Sequence, residues 1–119
     1  MPDVKPNISV EYTDKATIIS FTDRKILEER DIRSLQASVM SVVEQGEGIN
    51  LILDFGTDEF LSSAVLGLLI RISKRVVEHA GKLKLCNINP KIYEVFKITQ
   101  LTKVFDIHKD VRGAVASLS

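Results

Sequence analysis

The sequence predicts an α/β fold: a single domain with a mixed, mostly parallel sheet of four to five strands and about four helices. Three observations carry this. Strand-like and helix-like stretches alternate along most of the chain, as a parallel sheet with right-handed crossovers requires. Glycine, proline or small polar residues punctuate the stretches, with no linker, repeat or low-complexity run between them. The length, 119 residues, suits one hydrophobic core, so residues 1–119 read as one domain, with 1–6 expected to be flexible.

The elements follow in order. Residues 8–12 (ISVEY) alternate apolar and polar, as a strand with one exposed face does, and residues 16–21 (ATIISF) form a β-branched run. The intervening TDK suits a turn between antiparallel strands. The charged stretch TDRKILEERD comes next, with Ile26 and Leu27 expected to tuck beneath it. From about Glu29 to Gln45, the spacing of Ile32, Leu35, Val39, Val42 and Val43 draws one helical stripe, and Gly46 and Gly48 supply the stop. Residues 49–55 (INLILDF) are nearly continuously apolar, the mark of a central strand covered on both sides.

A second helix is expected from Ala64 to Ala80, ended by Gly81, with Leu66, Leu69, Ile70, Ser73, Val76 and Val77 as its stripe. Residues 82–88 (KLKLCNI) alternate again. Pro90 fits the first turn of a third helix through Ile92, Tyr93, Val95 and Phe96. Residues 103–107 (KVFDI) read as a short last strand and 110–118 as a terminal helix. The expected core includes Ile52, Leu53, Leu69, Val76 and Leu85.

Composition narrows the function. Sixteen basic residues balance sixteen acidic ones, which argues against a nucleic-acid binder. A single cysteine, Cys86, permits no intrachain disulfide and favours a reducing compartment. The start lacks the apolar core of a signal peptide, and no apolar run approaches membrane-spanning length, so a cytoplasmic chain with no membrane partner is expected.

The pair Ser62–Ser63, where a strand-like segment hands over to a helix, is the main site candidate. Position alone favours a helix cap over chemistry, although no Glu or Gln completes a capping box, Val65 and Leu66 standing there instead. A nucleophilic serine needs a base within reach. His79 falls at the far end of the same helix, His108 has no obvious orienting partner, and the GxSxG elbow is absent. No enzyme is therefore expected, and no catalytic residue is assigned. A serine at a helix start does suit a phosphate, which would meet free N–H groups and the positive end of the dipole. Asp58 and Glu59 just upstream would oppose it.

Other candidates carry less. Cys86 between Leu85 and Asn87 reads as a buried, inert thiol. Asp54, Asp58 and Glu59 around a glycine turn read as solvated acids, without a pattern for a metal, and no cofactor is expected. Arg71, Lys74 and Arg75 form the polar face of the second helix.

The strand INLILDF, the segment FLSSAVLGLL and the run HAGKLKLCNINP together resemble the STAS domain, specifically the bacterial anti-sigma factor antagonists. The resemblance covers almost the whole chain, including the closing LTKVFDI. In that family the helix begins with an Asp-Ser-[Ser/Thr]-Gly-Leu-Gly type motif whose first serine is phosphorylated. Matching Leu66 and Gly67 to its Leu-Gly puts Ser62 at the aspartate and Ser63 at the phosphorylated serine. Ala64 and Val65 then take the next Ser/Thr and Gly positions. A partner-contacting Gly-x-Leu-Asp loop is replaced here by Thr22-Asp23-Arg24-Lys25.

The resemblance implies a partner switch. Unphosphorylated, the chain would bind an anti-sigma factor that is also an ATP-dependent serine kinase, releasing a sigma factor. Phosphorylation of Ser63 would end the binding and a PP2C-type phosphatase would restore it. Asp23, Asp58, Ser62, Ala64, Val65 and Gly67 would line the interface. The alternative is a non-cycling STAS scaffold subunit of a stressosome or lipid-transport assembly. Self-association, at most a weak homodimer, is left open.

Overall fold

The computed structural model describes residues 4–5, 8–21, 29–56 and 63–118. Its strands are β1 (Val4–Lys5), β2 (Ile8–Tyr12), β3 (Thr17–Phe21), β4 (Asn50–Asp54), β5 (Lys82–Cys86) and β6 (Asp106–His108). The helices are α1 (Glu29–Val43), α2 (Ser63–Glu78), α3 (Pro90–Ile98) and α4 (Val111–Ala116), with a 3-10 turn at Leu101–Lys103. The strands join one sheet in sequence order; β1, β2 and β3 pair antiparallel, and β3, β4, β5 and β6 pair parallel. Five of them are the strands expected from sequence. The two-residue β1 adds to the outside of β2, with Val4 opposite Ser9.

Because β3 to β6 run parallel and in order, their crossover helices share one face. There Ile19, Leu51, Leu53 and Leu85 meet Val39, Val42 and Val43 of α1, Leu68, Leu69, Ile72 and Val76 of α2, and Ile92 and Phe96 of α3. All five expected core residues are fully buried. The alternate side chains Ile18, Ile52 and Cys86 point to the other face, covered by α4 through Ala114. Ile26 and Leu27 lie outside the described residues.

The α2 stripe differs from the expected one. Leu69 and Val76 are buried, but Ile70 is 37% exposed and Val77 69% exposed. The buried side is Val65, Leu68, Leu69, Ile72 and Val76, rotated by about one residue. Burial of these five side chains against the sheet and α1 outweighs any exposed polar contact. The flank toward α1 carries Arg71, whose Nε donates to Gln36 Oε1 at 3.0 Å, and Arg75, whose Nε donates to Glu44 Oε1 at 2.9 Å. Ile70 and Val77 are left facing outward.

The helix stop is also shared differently. Ala80 adopts the left-handed conformation (φ 58°), while a Cβ on Gly81 would stand 2.4 Å from the Ile49 carbonyl oxygen. Gly81 is thus needed for a close approach to the backbone that leads into β4, and Ala80 makes the turn.

The last strand starts later than residues 103–107 suggest. Gln100 takes a left-handed conformation (φ 62°), the N–H groups of Val104 and Phe105 both donate to the Leu101 carbonyl, and Phe105 is buried. Anchoring Phe105 in the core consumes the first half of the apolar run, and only Asp106–His108 pairs with β5.

Candidate functional site

The site is built at the carboxyl end of β4, the edge where open α/β sheets place their ligands. β4 ends in Asp54, whose half-buried carboxylate has defined partners and is not merely solvated as expected. Its Oδ1 accepts from the Gly56 N–H at 2.9 Å and from Asn87 Nδ2 at 2.8 Å. Gly56 has φ 59°, a conformation that favours glycine. The Phe55 N–H donates to the Cys86 carbonyl at 3.1 Å, extending the β4–β5 pairing past the last paired residue.

Seven positions beyond Gly56 the chain enters α2 at Ser63. Ser63 and Ala64 are the first two residues of the helix, where backbone N–H groups lack intrahelical acceptors. The first turn holds no acid. Val65, the third residue, is 7% exposed and belongs to the core, so its side chain is turned to the protein interior. Gly67 is half-buried, and a Cβ there would meet only Arg71 Nη1, at 3.5 Å. Asp23, Asp58, Glu59 and Ser62 lie outside the described residues. The structure therefore brings together the backbone of Ser63 and Ala64 with Gly67 on one helix.

Around the same edge, Asn87 (φ 56°) follows β5, and its N–H donates to the Lys109 carbonyl at 3.2 Å. Asn89 caps α3 by accepting from the Lys91 N–H, and Asp110 caps α4 by accepting from the Gly113 N–H. Sequence reasoning passed over Asn87. The available signal was an asparagine, tolerant of left-handed backbone, directly after a strand.

Two other candidates are placed as follows. Cys86 is fully buried, and its thiol is pushed up to about 12, first by burial and then by the nearby Asp54 and Asp110 carboxylates. His108 Nε2 lies 3.0 Å from Asp106 Oδ1, within ion-pair distance, but is buried and makes no hydrogen bond there. The other Asp106 oxygen pairs with the ammonium of Lys84, a residue only 8% exposed. That cluster sits on the α4 face and not on α2. Among the described residues no helix is long and apolar enough to cross a membrane.

Residues 8–114 match the model of the STAS domain family. The chain belongs to the STAS domain family. A relative of this STAS domain is BtrV of Bordetella bronchiseptica, described as an anti-sigma factor antagonist, 27% identical over 92 residues that cover 77% of this chain and 78% of that one. Among solved structures, an anti-sigma factor antagonist (STAS) domain protein from Planctomyces limnophilus is 24% identical with a TM-score of 0.83, covering 93% of this chain and 97% of that one. The Bacillus cell fate determinant SpoIIAA in its phosphorylated form is 19% identical with a TM-score of 0.70, covering 94% and 99%. At these identities the solved structures establish the fold.

Proposed function

We propose that this STAS domain is an anti-sigma factor antagonist that acts in the cytoplasm as a phosphorylation-controlled partner switch at Ser63. The observation that carries the reading is Ser63 as the first residue of a helix whose body is locked into the core. A group added there changes the surface potential at a fixed point and leaves the packing beneath it alone.

In this reading the unphosphorylated chain binds an anti-sigma factor that is also a serine kinase, and so frees a sigma factor. Ser63, Ala64 and Gly67 supply the contact, with Asp58 and Ser62 nearby in sequence and Asp23 from the segment between β3 and α1. The kinase brings ATP and Mg²⁺. The Ser63 Oγ attacks the γ-phosphorus, the bond to the bridging oxygen breaks, ADP leaves and the hydroxyl proton passes to a base of the kinase. The product carries about −1.5 to −2 charge. The helix N-terminus favours that charge by roughly 0.3–1 kcal/mol, whereas a partner surface built for a neutral hydroxyl does not. Repulsion at a desolvated contact costs several kcal/mol, enough to end the complex. A PP2C-type phosphatase hydrolyses the ester and resets the switch. The chain is substrate and binding module, not catalyst.

The test is native capture on the immobilised chain from its own lysate, then incubation with ATP and Mg²⁺ and peptide mass spectrometry. Phosphate on Ser63, its absence from Ser63→Ala, and retained partner binding by that variant are the expected results. Phosphate on Ser62 alone moves the site by one residue. Binding without phosphate on either serine favours the scaffold reading, a stressosome or lipid-transport subunit.

A further inference from the structure

An open groove runs between the outer sides of α1 and α2, and its two ends differ in charge. At the end nearest the close of both helices Arg75 is neutralised, with Nε donating to Glu44 Oε1 at 2.9 Å and Nη1 to Glu78 Oε2 at 3.2 Å. Toward the helix starts there is no such balance. Arg71 gives its Nε to Gln36, a neutral amide, at 3.0 Å. Among the described residues no acid lies within ion-pair distance of Arg71 or Lys74. Arg33 is exposed one turn before Gln36 on the same side of α1. The chain as a whole has sixteen bases and sixteen acids, so this excess of positive charge is local. Met40, partly buried against the core, lines the groove between the two sides.

We infer that the α1–α2 groove takes an acidic amphipathic helix of the anti-sigma partner, its carboxylates on Arg71 and Lys74 and an apolar side chain on Met40. The identity of the partner rests on the switch reading above; the charge of the segment does not. Two neighbouring helices offer a groove into which a third packs, with anchors three and four residues apart. With Nε engaged by Gln36, the two Nη groups of Arg71 remain for one carboxylate. Lys74, one turn further on, is placed for the next acid of the same helical face. The flexible thioether of Met40 suits apolar side chains of varied shape. Glu44 and Glu78 at the far end favour a short acidic segment over a membrane, which calls for a broad positive surface.

Two arms of one experiment use the full chain. In the first, backbone amide shifts of the free protein are followed in titrations with a synthetic helix of about four turns built from leucine and glutamate. A counterpart with lysine in place of glutamate is the control. The glutamate peptide should move amides of residues 36–44 and 67–75, and the lysine peptide should not. Arg71→Gln and Lys74→Gln, both at exposed positions, should each weaken the glutamate peptide about threefold, and the double variant about tenfold. Lys103→Gln removes the same charge from the turn before β6 and should leave binding unchanged. Salt at about 1 M, where the screening length is about 3 Å, should erase the difference between wild type and the double variant. In the second arm a carbodiimide couples the chain to the captured anti-sigma partner, and peptide mass spectrometry should find Lys74 in an amide with a partner glutamate or aspartate.

A glutamate peptide that moves no amide of the groove, or that loses no more to Arg71→Gln and Lys74→Gln than to Lys103→Gln, overturns the inference. Groove shifts caused by anionic phospholipid vesicles and not by the peptide also overturn it, and assign the surface to a membrane. A bound partner that never cross-links at Lys74 overturns its docking there. Peptide binding in the groove by a chain that captures no anti-sigma partner sinks the switch reading and leaves the preference for an acidic helix standing.

Discussion

The two faces of the sheet solve the same packing problem with different materials. On the α1–α3 face sixteen buried residues, among them Leu51, Leu53, Leu68, Leu69, Ile72 and Phe96, make one continuous apolar core. On the α4 face five of the described residues are buried, two of them alanines and one a cysteine, and beside them stands the Lys84–Asp106–His108 cluster. Burial of large side chains stabilises strongly and without direction; an ionic cluster contributes little net energy but responds to its surroundings. α2 rests on the first kind of face. The helix that starts at Ser63 is therefore anchored along its buried side, and on the proposed reading a phosphate at its end would work through charge and contact at the surface.

The largest effect expected from this difference is Leu69→Ala. The side chain is fully buried between α2 and the sheet, and its loss should cost about 2–5 kcal/mol in urea unfolding. A change under about half a kilocalorie would mean that α2 is not seated as described. Among the described residues of the α4 face, Ile52 is the large, fully buried side chain whose truncation should approach it.

Cys86 sharpens the comparison from the other side of the sheet. Its thiol, pushed from 9.0 to about 12, should carry about a thousandfold less thiolate near neutral pH than an unperturbed cysteine. A disulfide reagent should modify the native protein far more slowly than the urea-unfolded chain. Equal rates in the two states would show that α4 does not seal this face.

Next in size is the ionic cluster. Asp106→Ala leaves the Lys84 ammonium buried without its carboxylate and should cost about 1–3 kcal/mol. Lys84→Met, which removes the buried charge altogether, should be close to neutral. The Lys84 hydrogen bond is the main influence holding the Asp106 carboxyl below its ordinary value; burial opposes it and His108 assists. A depressed carboxyl contributes stability above its unfolded value, about 3.9, and loses it as pH falls through the folded one. The gap between wild type and Asp106→Asn should thus be present at about pH 5, roughly one unit above the unfolded carboxyl value, and close on further acidification. A gap that stays open on that acidification would show that another group controls the cluster.

How much of this was legible in the sequence follows the same division. The first face was readable because apolar periodicity reports burial directly: INLILDF marks the central strand, and Leu53, Leu69, Val76 and Leu85 are fully buried there, as Ile52 is on the face opposite. The rotation of α2 was not, because Ile70 and Val77 are as apolar as the residues that replace them in the core. Which apolar side faces in depends on how α2 meets α1, where Arg71 and Arg75 reach Gln36 and Glu44, more than thirty residues away in sequence. The same holds for Asp54 with Asn87 and for His108 with Asp106 and Lys84: each polar group finds its partner through strand register, which single-residue patterns do not carry. Phe105 misled in another way, since an apolar run looks like a strand whether its aromatic is paired in a sheet or plugged into a core. At the site itself, the serine pair marked the start of α2 from sequence alone, whereas the contact between Asp54 and Asn87 became visible only when β4 and β5 stood side by side.

The smallest effect is expected at Gly67, on the solvent side of α2 away from either face. A glycine one turn into a helix costs about 0.5–1 kcal/mol relative to alanine, and here the added methyl would touch only the mobile end of Arg71, at 3.5 Å, an ordinary contact. Gly67→Ala should therefore stabilise the isolated domain by about that amount, the opposite sign to every change on the two faces. If the glycine is there so that a partner can approach the helix closely, as the switch reading holds, the same methyl should weaken partner binding about tenfold, the cost of overpacking a close contact. Urea unfolding and a calorimetric titration with the captured anti-sigma partner measure the two effects on one preparation. A more stable domain that binds as tightly as before would remove Gly67 from the interface, leaving the N-terminal turn of α2 to carry the contact by itself.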